Sequence, residues 1–251
     1  MSRNLLVYPL YKISGKETEY QKHKKFVDKN IEIVKKFDCV DDIIVLGKEV
    51  ESWSKMISDI LLSIKDLVSG KSNVLFSEAD TIFTKSFSEI YSLEKFMMFS
   101  KCQENSNIDS TLTKEYYFNG GFIYYPHNMD SELWKHVEDI DKYDSIKMTG
   151  NLYEVIMNRM YYSQFPSMDH GLKYLENFGI FKYNWCIRSP AIMDQLRHIH
   201  FLNMSHYTCD ESKFSGFWYE DFFDRIYKLV INDCLSDSII IELQNYYDLK
   251  V

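Results

Sequence analysis

The sequence has no Cys-x-x-Cys pair, no apolar run approaching the roughly 20 residues that cross a bilayer, and no dense basic tract. Its five cysteines (Cys39, Cys102, Cys186, Cys209 and Cys234) are scattered and odd in number. That excludes a zinc ribbon and a disulfide framework, and fits reduced thiols in a cytoplasmic setting. Met1-Ser2-Arg3-Asn4 enters an apolar run directly, without the hydrophobic region and cleavage site of a signal peptide. A soluble, cytoplasmic protein with no transmembrane segment is therefore expected. The net charge of −8 argues against a nucleic-acid partner, because neutralising phosphates takes clustered Lys and Arg. The one basic cluster, Lys22, Lys24 and Lys25 with Lys35 and Lys36, has helical spacing and reads as a solvated face. No internal repeat, low-complexity tract or Pro/Gly linker divides the 251 residues, so one domain with a helical C-terminal extension is expected.

Aromatic side chains are abundant: 19 Tyr and 17 Phe suit a cleft that stacks rings or sugars, and suit a Tyr-rich core equally. Leu5-Leu6-Val7-Tyr8, closed by Pro9, reads as a strand. A helix follows from about Glu19 to Phe37, with Val27, Ile31 and Val34 on one face. Ile43-Ile44-Val45-Leu46 is a second strand. Trp53, Met56, Ile57, Ile60, Leu61, Ile64, Leu67 and Val68 then keep the i, i+3, i+4 spacing of a helix ended by Gly70. Asn73-Val74-Leu75-Phe76 is the third strand. A β-α-β-α-β opening implies an α/β fold whose mostly parallel sheet is flanked by helices.

Beyond it, Phe96-Met97-Met98-Phe99 reads as a strand and residues 101–113 as a polar loop. Ser131 is placed as the N-cap of a helix through Leu133, Trp134 and Val137. A further helix runs from about Leu152 to Tyr162. Ile199-His200-Phe201-Leu202 is a short strand, and helical spacing returns from Phe217, with a last helix around Ile239 to Tyr247.

Two stretches carry chemistry. The third strand ends on Glu78 and Asp80, separated by the small Ala79. Ligands of open α/β sheets bind outside the carboxyl ends of strands, and two hard oxygen donors there suit Mg or Mn. A solvated acidic turn is the bland alternative. The second stretch is Phe118-Asn119-Gly120-Gly121-Phe122, flanked by aromatic runs. It reads either as a hairpin turn or bulge, or as a place where two glycines admit a ligand and the Asn119 amide meets its hydroxyls.

Phe76-Ser77-Glu78-Ala79-Asp80-Thr81-Ile82-Phe83 resembles the strand and acidic motif of GT-A-fold nucleotide-sugar glycosyltransferases, usually Asp-x-Asp. Phe118-Asn119-Gly120-Gly121-Phe122-Ile123 is similar to their strand lining the donor sugar. Asp169-His170-Gly171-Leu172, Tyr183-Asn184-Trp185 and Ile199-His200-Phe201 match later segments, the last in glycogenin-like members. The matches run in order over about residues 5 to 206. The sequence departs from the pattern at Glu78 (usually Asp), at His170 (usually Gln or Glu), and in having no Gly-x-x-Lys after His200.

The resemblance implies a GT-A-type mixed sheet, with a nucleotide-binding half over 1–100, a donor and acceptor half over 101–210 and a helical extension over 211–251. It implies a Mn- or Mg-dependent hexosyltransferase, retaining before inverting, that uses a nucleoside-diphosphate sugar (a UDP-sugar first) and a glycan, glycolipid or protein acceptor. Asp80, Glu78 and His200 would hold the metal, with His198 and His206 as neighbours that could replace His200. Tyr8, Tyr11, Glu78, Asn119, Gly120 and Gly121 would border the donor, and Asp169 would be the catalytic or acceptor-orienting carboxylate, against the alternative of a helix N-cap. Two other classes stay open. A nucleotidyltransferase needs a Gly-rich basic phosphate loop, which Tyr8-Pro9-Leu10-Tyr11-Lys12-Ile13-Ser14-Gly15 lacks. A non-catalytic nucleotide-sugar-binding protein would explain Glu78 and the missing Gly-x-x-Lys.

Overall fold

A computed structural model describes residues 2–102, 117–138, 152–165, 180–182, 198–200, 217–236 and 238. The chain opens with β1 (Arg3–Pro9), β2 (Lys12–Ile13), α1 (Glu17–Phe37), β3 (Asp42–Leu46), β4 (Glu49–Val50), α2 (Trp53–Ser69), β5 (Ser72–Ser77) and β6 (Thr81–Phe83). A 3-10 turn (Ser88–Ser92) leads to β7 (Met97–Cys102) and β8 (Tyr117–Tyr125). A second (Ser131–Trp134) runs into α3 (Lys135–Glu138), followed by α4 (Leu152–Gln164), β9 (Ile180–Lys182), β10 (His198–His200) and α5 (Phe217–Ile231).

Five strands form the main sheet in the order β3-β1-β5-β8-β7. β1 pairs in parallel with β3 and β5, whereas β8 runs antiparallel to both β5 and β7. The sheet is thus mixed. From β1 the chain moves outward to β3 through α1, then returns past β1 to β5 through α2. Right-handed crossovers in opposite directions put α1 and α2 on opposite faces. α1 carries α5 beside it: Phe26 and Phe223 have ring centroids 4.3 Å apart, and Lys25 and Lys29 both bond Asp224. On the other face α2 meets α3 through Lys65 and Glu138 (2.6 Å) and packs against α4. The order reverses at β1, so the crevice between the carboxyl ends of β1 and β5 is the position where open α/β sheets take ligands.

The apolar stripes of both helices do the packing. α2 buries Ile57, Ile60, Leu61, Ile64 and Val68, all within the expected set. α1 buries Val27 and Val34 but adds Phe26 and Ile33, while Ile31 stays half-buried at the margin. Gly70 ends α2 without a left-handed turn; the left-handed residue is Lys71 (φ 66°).

Three expectations are corrected. The cap at 131 is Asp130, whose carboxylate accepts the Glu132 N–H (2.9 Å), because the first turn is 3-10 and starts one residue earlier. Lys101 and Cys102 extend β7 rather than opening a loop, since β8 supplies backbone partners at Phe118 and Tyr117. The Asn-Gly-Gly stretch is no hairpin turn: it lies inside one nine-residue strand, β8. The bulge alternative is the one present. Met98 pairs with Ile123 and Ser100 with Asn119, so Gly120, Gly121 and Phe122 stand against Phe99 alone. The last expected helix, around 239–247, lies outside the described residues. Among those described, no helix is long and apolar enough to cross a membrane.

Candidate functional site

Glu78, Ala79 and Asp80 form a tight turn between β5 and β6 at the switch point of the sheet. The turn is fastened at several points. The Glu78 N–H donates to the Gly121 carbonyl (2.9 Å), which extends the β5–β8 ladder by one bond into the bulge. Thr81 Oγ1 donates back to the Glu78 carbonyl at 2.8 Å. Ser77 Oγ shares a hydrogen bond with Thr81 Oγ1 (2.9 Å), another with His198 Nε2 (3.1 Å), and stands 3.5 Å from the Glu78 carbonyl oxygen. The result is a hydrogen-bonded chain joining the imidazole, two hydroxyls and the turn's carbonyl. From α1, the buried Asn30 amide brackets β6, donating to the Thr81 carbonyl and accepting the Phe83 N–H (3.1 Å).

Within this frame Asp80 is buried, 8% exposed, and Glu78 is half-buried. A second small sheet, β6-β10-β9, crosses here. β10 runs antiparallel to β6 with His198 opposite Phe83, Ile199 opposite Ile82 and His200 opposite Thr81. The backbone therefore brings position 200 alongside the residue that follows Asp80. Among the described residues no three carboxylate, imidazole or thiol groups form a metal cluster on their own. A carboxylate pair plus an imidazole at position 200 would be a donor set suited to a hard or borderline divalent ion.

Gly120 and Gly121 lie on the other wall. Gly121 is buried and holds the turn through its carbonyl. Gly120 needs its missing side chain for a reason the sequence does not show: a Cβ there would stand 2.6 Å from Cδ1 and 2.7 Å from Cε1 of Tyr153 on α4. The space beside this glycine is filled by that ring. Tyr153 packs on Phe76 (5.5 Å between centroids) and shares a hydrogen bond with Tyr125 (3.2 Å). Burial drives its phenol well above the ordinary range, with Tyr125, Glu78 and Glu154 adding to the shift. Glu154 thus joins the neighbourhood of Glu78, and its Oε1 accepts the Gly120 N–H at 3.3 Å. One turn on, the buried Asn158 amide brackets Phe118, accepting its N–H (2.8 Å) and donating to its carbonyl (2.7 Å). Asn119 pairs with Ser100 through the backbone.

Tyr8 and Tyr11 sit differently from one another. The Tyr8 ring is wholly inside the core, its hydroxyl without a hydrogen-bond partner. Burial, with Cys39 nearby, raises its phenol well above the ordinary range. Tyr11 lies past the carboxyl end of β1, where β2 and β4 continue the β1–β3 pairing as a lip. Gly47 lets the two chains pass, since a Cβ there would fall 2.2 Å from the Leu10 carbonyl oxygen. The Tyr11 hydroxyl donates to Asp59 Oδ2 (2.5 Å), and Lys48 binds the other oxygen. Burial opposes ionisation of Asp59, but these two donors hold its carboxyl below the usual range. Asp59, Lys48, Glu49 and Lys55 line an open groove of about 450 Å³.

Asp169 lies outside the described residues. Ser77, Thr81 and Glu154 do not stand out in the sequence, whereas His198, with His206, is the sequence's alternative to His200 for the metal. The first two are ordinary strand residues there, and an i to i+4 hydroxyl pair across an acidic turn was the one signal on offer. No protein-family model matches the chain, and no curated protein matches it.

Proposed function

We propose that this protein is a metal-dependent glycosyltransferase that moves a sugar from a nucleoside-diphosphate sugar to an acceptor hydroxyl. One observation carries the reading: an acidic turn, fastened from four elements, leaves β5 at the switch point and lies beside the strand bearing His200. Asp80 would be the principal ligand of the ion, with Glu78 supporting it and His200 completing the set. A Mn or Mg ion held there would offset the charge that develops on the diphosphate leaving group. Gly121 and Asn119 would border the sugar, Tyr11 and the lip would border the base, and Asp169 would orient or deprotonate the acceptor hydroxyl.

The test is a thermal-shift panel of nucleoside diphosphates and nucleotide sugars, with and without Mn. A ligand at a hundredfold over its dissociation constant adds about 2.7 kcal/mol, a rise of about 5–10 °C in a chain of this size. Asp80→Asn should remove the Mn-dependent part and change the unliganded midpoint little. A panel with no Mn-dependent shift, or an Asp80→Asn protein that shifts as wild type does, would refute the proposal. Donor hydrolysis in Mn then separates a transferase from a binding protein.

A further inference from the structure

We infer that His198 is a positioning residue: it pins β10 to the acidic turn through Ser77 and Thr81, and so fixes where His200 stands. The inference rests on the proposed roles of Glu78, Asp80 and His200. β10 is described over three residues, paired with β6 on one edge and β9 on the other, and ladders this short hold register less firmly than long ones. A one-residue slip would turn every side chain to the other face, and a two-residue slip would carry position 200 away from Thr81. The His198 side chain removes that freedom. It is fully buried, stacked on Phe122 (centroids 4.0 Å, planes 17° apart) and edge-on to Phe83 (4.9 Å).

An imidazole in such a slot needs a partner for Nε2, and Ser77 Oγ supplies it at 3.1 Å in the observed register. The same hydroxyl is bonded to Thr81, whose own hydroxyl donates to the Glu78 carbonyl. Register of β10 and shape of the turn are therefore one hydrogen-bonded unit. His198 touches no reacting group; it acts through residues that would. Partners standing behind metal ligands in this way typically govern roughly 10–100-fold in metal affinity.

The test uses the full-length protein with Mn(II) chloride alone, measured by calorimetry, alongside hydrogen exchange of the 78–83 segment. Ser77→Ala and His198→Leu should each weaken Mn(II) binding roughly 10–100-fold and speed exchange in that segment. His198→Gln, which keeps an N–H donor at the end of its side chain, should retain most of the affinity. Val74→Ala, in the middle of β5, serves as the control for a general loss of stability and should leave Mn(II) affinity unchanged. If His198→Leu does not fold, Ser77→Ala, which deletes one oxygen, decides alone. Wild-type affinity and exchange in Ser77→Ala, or an equal loss of affinity in Val74→Ala, would overturn the inference. A wild-type protein that binds no Mn(II) would overturn the metal reading instead, while the exchange comparison still judges the pin.

Discussion

Gly120→Ala offers a sharp test of how the glycine strand is used, because two accounts of that residue predict opposite outcomes. One added carbon would lie 2.6–2.7 Å from two ring carbons of Tyr153, whereas ordinary carbon contacts sit at about 3.5–4.0 Å. Close to 1 Å must therefore open between β8 and α4. Tyr153 has little room to yield: it is 7% exposed, packed on Phe76 and bonded to Tyr125. Overpacking of this kind costs about 1–3 kcal/mol. At roughly 2–4 °C per kcal/mol for a chain of this length, the midpoint should fall by about 2–12 °C.

Urea denaturation of Gly120→Ala, Tyr153→Leu and the double variant makes the assay complete. The ring is the cause only if the double variant is more stable than the two single losses sum to, since residues in contact couple and distant ones add. A Gly120→Ala protein that keeps wild-type stability but loses nucleotide-sugar binding would refute this account. It would mean that the glycine faces a ligand rather than a helix.

Other outcomes follow from the same interior. Asn158→Ala strands the backbone N–H and carbonyl of Phe118, at about 1–3 kcal/mol for each buried group, so a loss of roughly 2–6 kcal/mol is expected in the same urea assay. For Asp224, burial raises the carboxyl, but the ammonium groups of Lys29 and Lys25 outweigh it and the net shift is downward. A depressed folded-state value means its stabilising contribution is present above the unfolded value near ~3.9 and is lost as pH falls through it and below. Stability measured from pH 6 to pH 2 should therefore fall less steeply in Asp224→Asn than in wild type; an identical acid limb would show that Asp224 contributes nothing to α5 docking.

The parallel half of the fold was legible because its signals are local. Apolar runs at Leu5–Tyr8, Ile43–Leu46 and Val74–Phe76 alternate with two helices whose stripes repeat cleanly, and the structure keeps all five elements. What could not be read depends on distant partners. β6 is three residues long and exists because Asn30 and β10 pair with it. Asn119-Gly120-Gly121 has the composition of a turn, yet β5 and β7 on either side hold it as a strand with a bulge. Tyr8 lies near the carboxyl end of β1, but both faces of that strand are covered and its ring belongs to the core. For the site, Glu78 and Asp80 were visible as a pair at a strand's end. The bonds by which two hydroxyls and His198 shape their turn were not, since nothing in the local sequence ties Ser77 to a residue 121 positions away.

That spacing has a kinetic consequence. The turn's contacts reach across 53 residues to Asn30 and across 121 to His198. Loops of such length close slowly, and proteins dominated by them fold late in the places where those contacts meet. The two βαβ crossovers can form early from neighbouring segments. The acidic turn has to wait for β8 and β10. On refolding from denaturant, helical circular dichroism should thus return ahead of any affinity for Mn(II), leaving for a time a chain that carries its secondary structure without its site.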